Sequence, residues 1–245
     1  MKNEIQKLVD LINRLDLRIL LFAVIFLATF SIRLSDNEEE YFVFAKAFAD
    51  PHWIPGALSI KDVPGTRIIF DTVVGWALGF AGFEQIAAAG RMLCAMLFAF
   101  PLSLLFKKLR LSHTEAVFLL TAFVVSHQSF FGNEWIFRSF ETKVVSYAFV
   151  FYSIYYLIEE RFRLSVIFAA AAIYFHVLVG GWNVLALFAY LLLRRLPLRE
   201  VLISALTLAL LLSPLAFYLA GKYLVHNPNE IDGVTVSWVY AYVRN

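Results

Sequence analysis

The chain has 245 residues, 61% of them hydrophobic, 17% aromatic and only 16% charged, with a formal net charge of +2. A soluble domain carries about a quarter charged residues and under half apolar ones, so an ordinary cytosolic globule, a disordered chain and a coiled coil are excluded, and the small net charge speaks against nucleic acid. The single Cys94 lies inside an apolar run, so an intrachain disulfide and thiolate metal chemistry drop out as well.

The composition predicts an all-α, polytopic integral membrane protein, read here as a single transmembrane module over 1–245 with about seven spans or partial spans. A spanning helix needs roughly 20 apolar residues. Span 1 is expected at 17–34, behind Lys2, Lys7, Arg14 and Arg18 and without a cleavage pattern, which makes it a retained anchor with a cytoplasmic N-terminus. Residues 35–86 form a large first outer loop carrying interfacial helices. One is marked by the helical spacing of Tyr41, Phe42, Phe44, Ala45 and Phe48, the other is 68–83 with Asp71, Gly75, Trp76, Gly79 and Gly82. If 68–83 crossed fully, the next span would deliver Lys107 and Lys108 to the outside, against the positive-inside rule. Span 2 is 87–106, closed by Lys107, Lys108 and Arg110; span 3 is 116–131 and span 4 is 144–158.

Residues 164–193 lie between Arg161/Arg163 and Arg194/Arg195/Arg199, so the number of crossings should be even, and 30 residues are too few for two full spans. The expected solution is a short helical hairpin turning at Gly180-Gly181. Span 7 is 201–220, kinked at Pro214. The tail 221–245 is then outside and reads as an incomplete chain, or as a module of something longer. This layout puts 12 Lys/Arg in 38 inner residues and 7 in 95 outer ones, and places all five Trp on the outer side, as an aromatic-lined outer chamber would. It implies a multi-pass protein of the cell (inner) membrane, with the lipid bilayer as its first partner.

Three places can carry chemistry. The outer loop opens Ser35-Asp36-Asn37-Glu38-Glu39-Glu40, where carboxylates held beside the bilayer can bind a divalent cation (Mg or Mn) or act as a general base, or form a solvated acidic stop. Arg91 sits four residues into span 2, where an unpaired charge is costly. It either snorkels to headgroups, pairs with Asp71 or a first-loop carboxylate, or binds a phosphate. Between spans 3 and 4, Arg138, Glu141 and Lys143 are either helix-face ion pairs or, through Arg138 and Lys143, a phosphate clamp. His176, beside Gly180, Gly181, Trp182 and Asn183, is a structural histidine or a sugar or phosphate contact; His127 and Gln128 are weaker candidates. No Walker loop, dinucleotide fingerprint, zinc-protease helix or serine elbow is present.

A first span, an acidic start to a large outer loop, Pro64-Gly65-Thr66-Arg67 leading a short outer helix, Gly90-Arg91 opening span 2 and a Lys-Lys-x-Arg inner end together resemble the N-terminal module of GT-C superfamily glycosyltransferases. The stretches from Trp135 to Lys143 and from Phe175 to Trp182 are similar to segments of uncharacterised bacterial multi-pass proteins of that general type. The resemblance implies sugar transfer from a polyprenyl-phosphate-linked donor on the outer face. Asp36, Glu39 and Glu40 would be base or metal ligands (metal: Asp36 and Glu40), Arg91, Arg138 and Lys143 phosphate contacts, and His176 and Trp182 would shape the sugar or acceptor pocket. Family members often show one Asp, or an Asp-Asp or Asp-Glu pair, where this chain has a run of Glu, which leaves Asp36 and Glu38 to Glu40 all open. The rivals are a transporter or lipid flippase with Arg91, Asp71 and a broken Gly180-Gly181 hairpin along its path, and a non-catalytic membrane subunit. Oligomeric state is not legible.

Overall fold

The computed structural model describes residues 2–54, 67–126, 128, 135–225, 230–231 and 234–235. The described chain is all-helical apart from a two-residue antiparallel pairing, Glu230–Ile231 against Val234–Thr235. Helix α1 spans Lys2–Arg14, α2 Leu17–Thr29, α3 Asp36–Ala49, α4 Ile68–Ala77 and α5 Phe83–Lys108. They are followed by α6 His113–Val125, α7 Thr142–Ile158, α8 Phe162–Phe175, α9 Val177–Leu193 and α10 Leu198–Val225. Two stretches, Phe83–Lys108 and Leu198–Gly221, are long and apolar enough to cross a membrane; the remaining apolar helices run 10–17 residues.

Helix α5 is the axis of the larger core. Small residues along it, Ala87, Gly90, Ala95 and Ala99, are buried and let α2 and α7 approach closely, while Phe98 fills the space between them. Helices α3 and α4 cross where a Cβ on Gly75 would fall 2.3 Å from the Ala45 carbonyl oxygen, so only glycine fits. A second, smaller core joins α8, α9 and α10 through Val166, Ala169, Leu187 and Leu191. Helices α7, α8 and α9 are also joined by buried polar contacts: Ser153 and Ser165 hydroxyls 3.1 Å apart, with the Asn183 amide donating to Ser153 Oγ at 3.0 Å.

Three helices end alike. Arg110, Glu160 and Arg195 each adopt a left-handed conformation (φ 60°, 58° and 51°) just past α5, α7 and α9. The next amide then bonds back to Phe106, Tyr156 and Leu191 respectively, closing the helix as a Schellman turn. Ion pairs tie these turns into one end of the bundle: Lys108 to Glu159 and Arg194 to Glu160, both at 2.6 Å. At that end α6 begins with a capping box in which Ser112 and Glu115 exchange hydrogen bonds.

Several expected boundaries move. The helix expected to run to residue 34 stops at Thr29, whose hydroxyl turns back onto the Ile25 carbonyl, and the chain then bends through 30–35 toward Arg91. The hairpin over 164–193 turns at His176, not at Gly180-Gly181. His176 Nδ1 accepts the Val179 amide and so caps α9, while Gly180 lies inside that helix, pressed so close to α8 that a Cβ would meet the Ile173 nitrogen at 2.4 Å. Pro214 stays within α10. The Leu210 carbonyl that its missing N–H leaves unmatched is taken by the Ser213 hydroxyl at 2.8 Å, and Tyr174 of α8 donates to the next carbonyl, Leu211, at 2.8 Å.

Candidate functional site

The first half of α5 presents Arg91 to the bent segment 30–38. Its guanidinium donates through Nε to Glu38 Oε1 at 2.9 Å and through Nη2 to Glu38 Oε2. The remaining donors reach the carbonyls of Ser31 at 2.5 Å and Arg33 at 2.8 Å. Glu38 in turn accepts the Phe140 amide at 2.6 Å and the Ser35 amide at 2.9 Å. Both side chains are buried, at 3% and 0% exposure, and the pair is acceptable there because nearly every polar edge is matched. Gly90 completes the node. The Phe140 ring lies where its Cβ would be, 2.0 Å away, and packs onward against Phe42 and Phe70.

Around this node a second buried carboxylate, Glu141, orders the start of α7. It accepts from Asn37 Nδ2 at 2.9 Å and from Ser139 Oγ at 2.9 Å, with Lys143 Nζ at 3.7 Å. Gln128, with Oε1 accepting the amides of Ile136 and Phe137, holds the incoming loop from the other side. Between the two loops lies a polar cavity of about 110 Å³ lined by Ser35, Asn37, Trp135, Arg138, Ser139 and Glu141. The Arg138 guanidinium stacks 4.3 Å over the Trp135 ring, is exposed to solvent and makes no ion pair among the described residues. Ser35 Oγ is shielded and makes no hydrogen bond among the described residues.

The structure therefore brings together some of the expected residues and separates others. Arg91 faces inward onto a first-loop carboxylate, and that carboxylate is Glu38. Asp36 occupies the first position of α3, between the cavity residues Ser35 and Asn37; its side chain lies outside the described residues, as does His127. Glu39 and Glu40 are exposed and do not line the cavity. Lys143 does not itself line the cavity but lies 3.7 Å from Glu141, which does. His176 is engaged in capping α9, and Trp182 is 71% exposed on that helix. Asn37 and Ser139 were missed as site residues, while Gln128 was only a weak candidate and Glu141 was read only as an ion-pair partner, which it is for Lys143. A Ser-x-x-Glu pattern over 35–38, the signature of a capping box, was the available signal for Glu38.

Among the described residues no group of three or more His, Cys, Asp or Glu is placed to hold a metal ion. The described carboxylates also fit one poorly, since Glu38 is saturated by Arg91 and two amides, Glu141 by its neighbours, and Glu39 and Glu40 are exposed.

Fold and site together define an all-helical protein with two helices long and apolar enough to cross a membrane and a polar cavity suspended from a buried arginine–glutamate pair. No protein-family model, curated protein or solved structure matches the chain.

Proposed function

We propose that the chain is a multi-pass membrane protein of GT-C-like design, and that the cavity at the head of α7 takes the phosphate-linked sugar of a polyprenyl donor on the outer face. The carrying observation is Arg138, an exposed guanidinium that makes no ion pair among the described residues, stacked over Trp135 at the edge of a cavity furnished with Asn37, Ser139 and Glu141. Arginine fixed by stacking keeps its donor fork free for a phosphate, and the amide, hydroxyl and carboxylate groups beside it suit sugar hydroxyls.

In this reading the acceptor hydroxyl attacks the anomeric carbon while the bond from that carbon to the phosphate oxygen breaks. The hydroxyl proton passes to Asp36, which lies between Ser35 and Asn37 in the sequence, and the negative charge of the departing lipid phosphate is met by Arg138. Glu141 positions Asn37 and Ser139. Arg91, Glu39, Glu40, His176 and Trp182 have no direct part. The transporter alternative loses its support in two places: Arg91 is saturated by Glu38 and two carbonyls, and Gly180 is packed into α9 against α8.

The test is binding and turnover with a polyprenyl-phosphate sugar in detergent. Arg138→Gln should weaken binding by about tenfold, the size of one hydrogen bond to a charged group, and Asp36→Asn should keep binding but abolish transfer. Unchanged binding in Arg138→Gln would overturn the assignment.

A further inference from the structure

The charged end of the bundle carries more cations than it neutralises. Lys107, Arg110, Arg161, Arg163, Arg195 and Arg199 are exposed there and make no ion pair among the described residues, while Glu159 and Glu160 are taken up by Lys108 and Arg194. Of the carboxylates in these turns only Glu115 and Glu200 are without a cation, so a clear positive excess remains. Leucines alternate with the cations: Leu109, Leu193 and Leu198, next to Arg110, Arg194 and Arg199 in the chain, are 59%, 84% and 71% exposed. Both stretches long and apolar enough to cross a membrane have one end here, α5 at Lys108 and α10 at Leu198. Helix α1 lies at the same end. Asn13 Oδ1 accepts the amide and the hydroxyl of Thr114, in the first turn of α6, at 3.2 and 3.3 Å, and the chain breaks after α1, where Asp16 caps α2 as a separate helix. Apolar residues recur in α1 at 5, 8, 9 and 12 and polar ones at 3, 6, 7, 10, 13 and 14, the pattern of an amphipathic helix. The bundle covers only part of that apolar face: Val9 and Ile12 are half-buried, but Leu11, and Leu15 just past the helix, remain 55% and 44% exposed.

We propose that this end, α1 included, sits in the headgroup layer of an anionic lipid leaflet. Helix α1 then lies in the plane of the membrane, with Leu11 and Leu15 at the acyl boundary, and the unmatched guanidinium groups meet lipid phosphates. Two features select this occupant. Where α5 and α10 cross, the turns at Lys108 and Leu198 fall at headgroup depth, because the apolar stretches end there. The mixture of free cations and exposed leucines also matches a phosphate layer above acyl chains, the arginines reaching outward while the leucines stay in the apolar layer. A polyanion such as a nucleic acid would use the cations alone and leave Leu11, Leu109, Leu193 and Leu198 in water.

The inference rests on the membrane reading and adds to it a lipid class and a place for α1, so the experiment separates the two. Alkaline carbonate extraction of membranes carrying the full chain tests the membrane reading: release of the chain overturns both. The full chain is then placed in nanodiscs of phosphatidylglycerol or of phosphatidylcholine. Cys94 is buried, so an environment-sensitive dye can be attached selectively to Leu11→Cys or, on the polar side of α1, to Gln6→Cys. We expect the dye at 11 to be shifted to the blue and quenched by brominated phosphatidylglycerol, and the dye at 6 to remain aqueous. Native mass spectrometry of the chain from mixed nanodiscs should show phosphatidylglycerol retained over phosphatidylcholine, a preference that falls by about fivefold for each of Arg163→Gln and Arg199→Gln, the worth of one cation at an anionic surface. A dye at 11 that stays aqueous in phosphatidylglycerol overturns the placement of α1 and leaves this end to a soluble partner. Equal retention of the two lipids, or a preference unchanged in the double arginine variant, overturns the anionic leaflet. Either result leaves the membrane reading intact.

Discussion

Helices α5 and α10 are alike in length and apolarity, yet 61% of the most apolar stretch of α5 is buried against 11% for α10. The difference lies in side-chain size and in one charge. Helix α5 carries Ala87, Gly90, Ala95 and Ala99 on its contact faces, and Arg91 draws the 30–38 and 137–141 loops onto it. Helix α10 presents Leu202, Leu206, Leu210 and Phe217 outward and touches the rest mainly through α8. Apolarity alone thus says that a helix avoids water. Whether it is covered by protein depends on small residues that allow close approach and on polar groups that demand partners.

That contrast can be broken by substitution. The largest effect is expected at the node: Glu38→Ala or Arg91→Ala strands a buried charge and should cost about 3–5 kcal/mol in thermal unfolding in detergent. The double variant should lose less than the sum of the two, because neither charge is then left alone. Equal, additive losses would show that the pair is not coupled.

The glycines come next and should differ in sign. Gly90→Ala must displace Phe140 and is expected to cost about 1–3 kcal/mol, whereas Gly221→Ala on α10 meets nothing within 4 Å and should gain about 0.5–1 kcal/mol from helix propensity. Equal melting temperatures for these two variants would contradict the packing difference. Within α10, Leu215→Ala, at a 5% exposed site, should cost about 2 kcal/mol, while Leu210→Ala, 74% exposed, should stay within about 0.5 kcal/mol.

A pH-dependent effect is expected at the charged end of the bundle. Hydrogen bonds from the Ser112 hydroxyl and amide hold Glu115 below its ordinary value. A carboxyl lowered on folding contributes stability that is present above its unfolded value and lost as pH falls through the folded one. Ser112→Ala should therefore lower the melting temperature at neutral pH and flatten the acid limb of the stability profile between those two values. An unchanged limb would mean that the capping box carries no pH dependence.

Much of the fold was legible because it is local. Apolar runs located the helices, and α4 and α7 begin and end within a few residues of expectation or inside it. The inward turn of Arg91 was also foreseeable from the cost of an unpaired charge. Which carboxylate it meets was not. Glu38 shares a helical face with Phe42 and Ala45, and all three are fully buried, so the periodicity of α3 carried the signal that Glu38, not Glu39 or Glu40, points inward. Glu141 had no comparable mark. It is the N-cap residue just before α7, and its partner Asn37 lies 104 residues away. Neutral substitution of Glu38 or Arg91 cannot separate an enzyme from a non-catalytic subunit, because either change costs fold stability whatever the function. Asp36 and Arg138 are the residues that can.

By itself the sequence determined an all-helical chain too apolar for water, the helix caps at Asp16 and Ser112, and the charged turns that end α5, α7 and α9, because these follow from composition and from interactions within a few residues. Only the tertiary structure decided that Glu38 satisfies Arg91 across 53 residues and receives the Phe140 amide across 102, and that Asn37, Arg138, Ser139 and Glu141 surround one cavity. Those pairings are chosen by the cost of leaving a buried charge or amide unmatched, and that cost exists only once the helices have packed and excluded water.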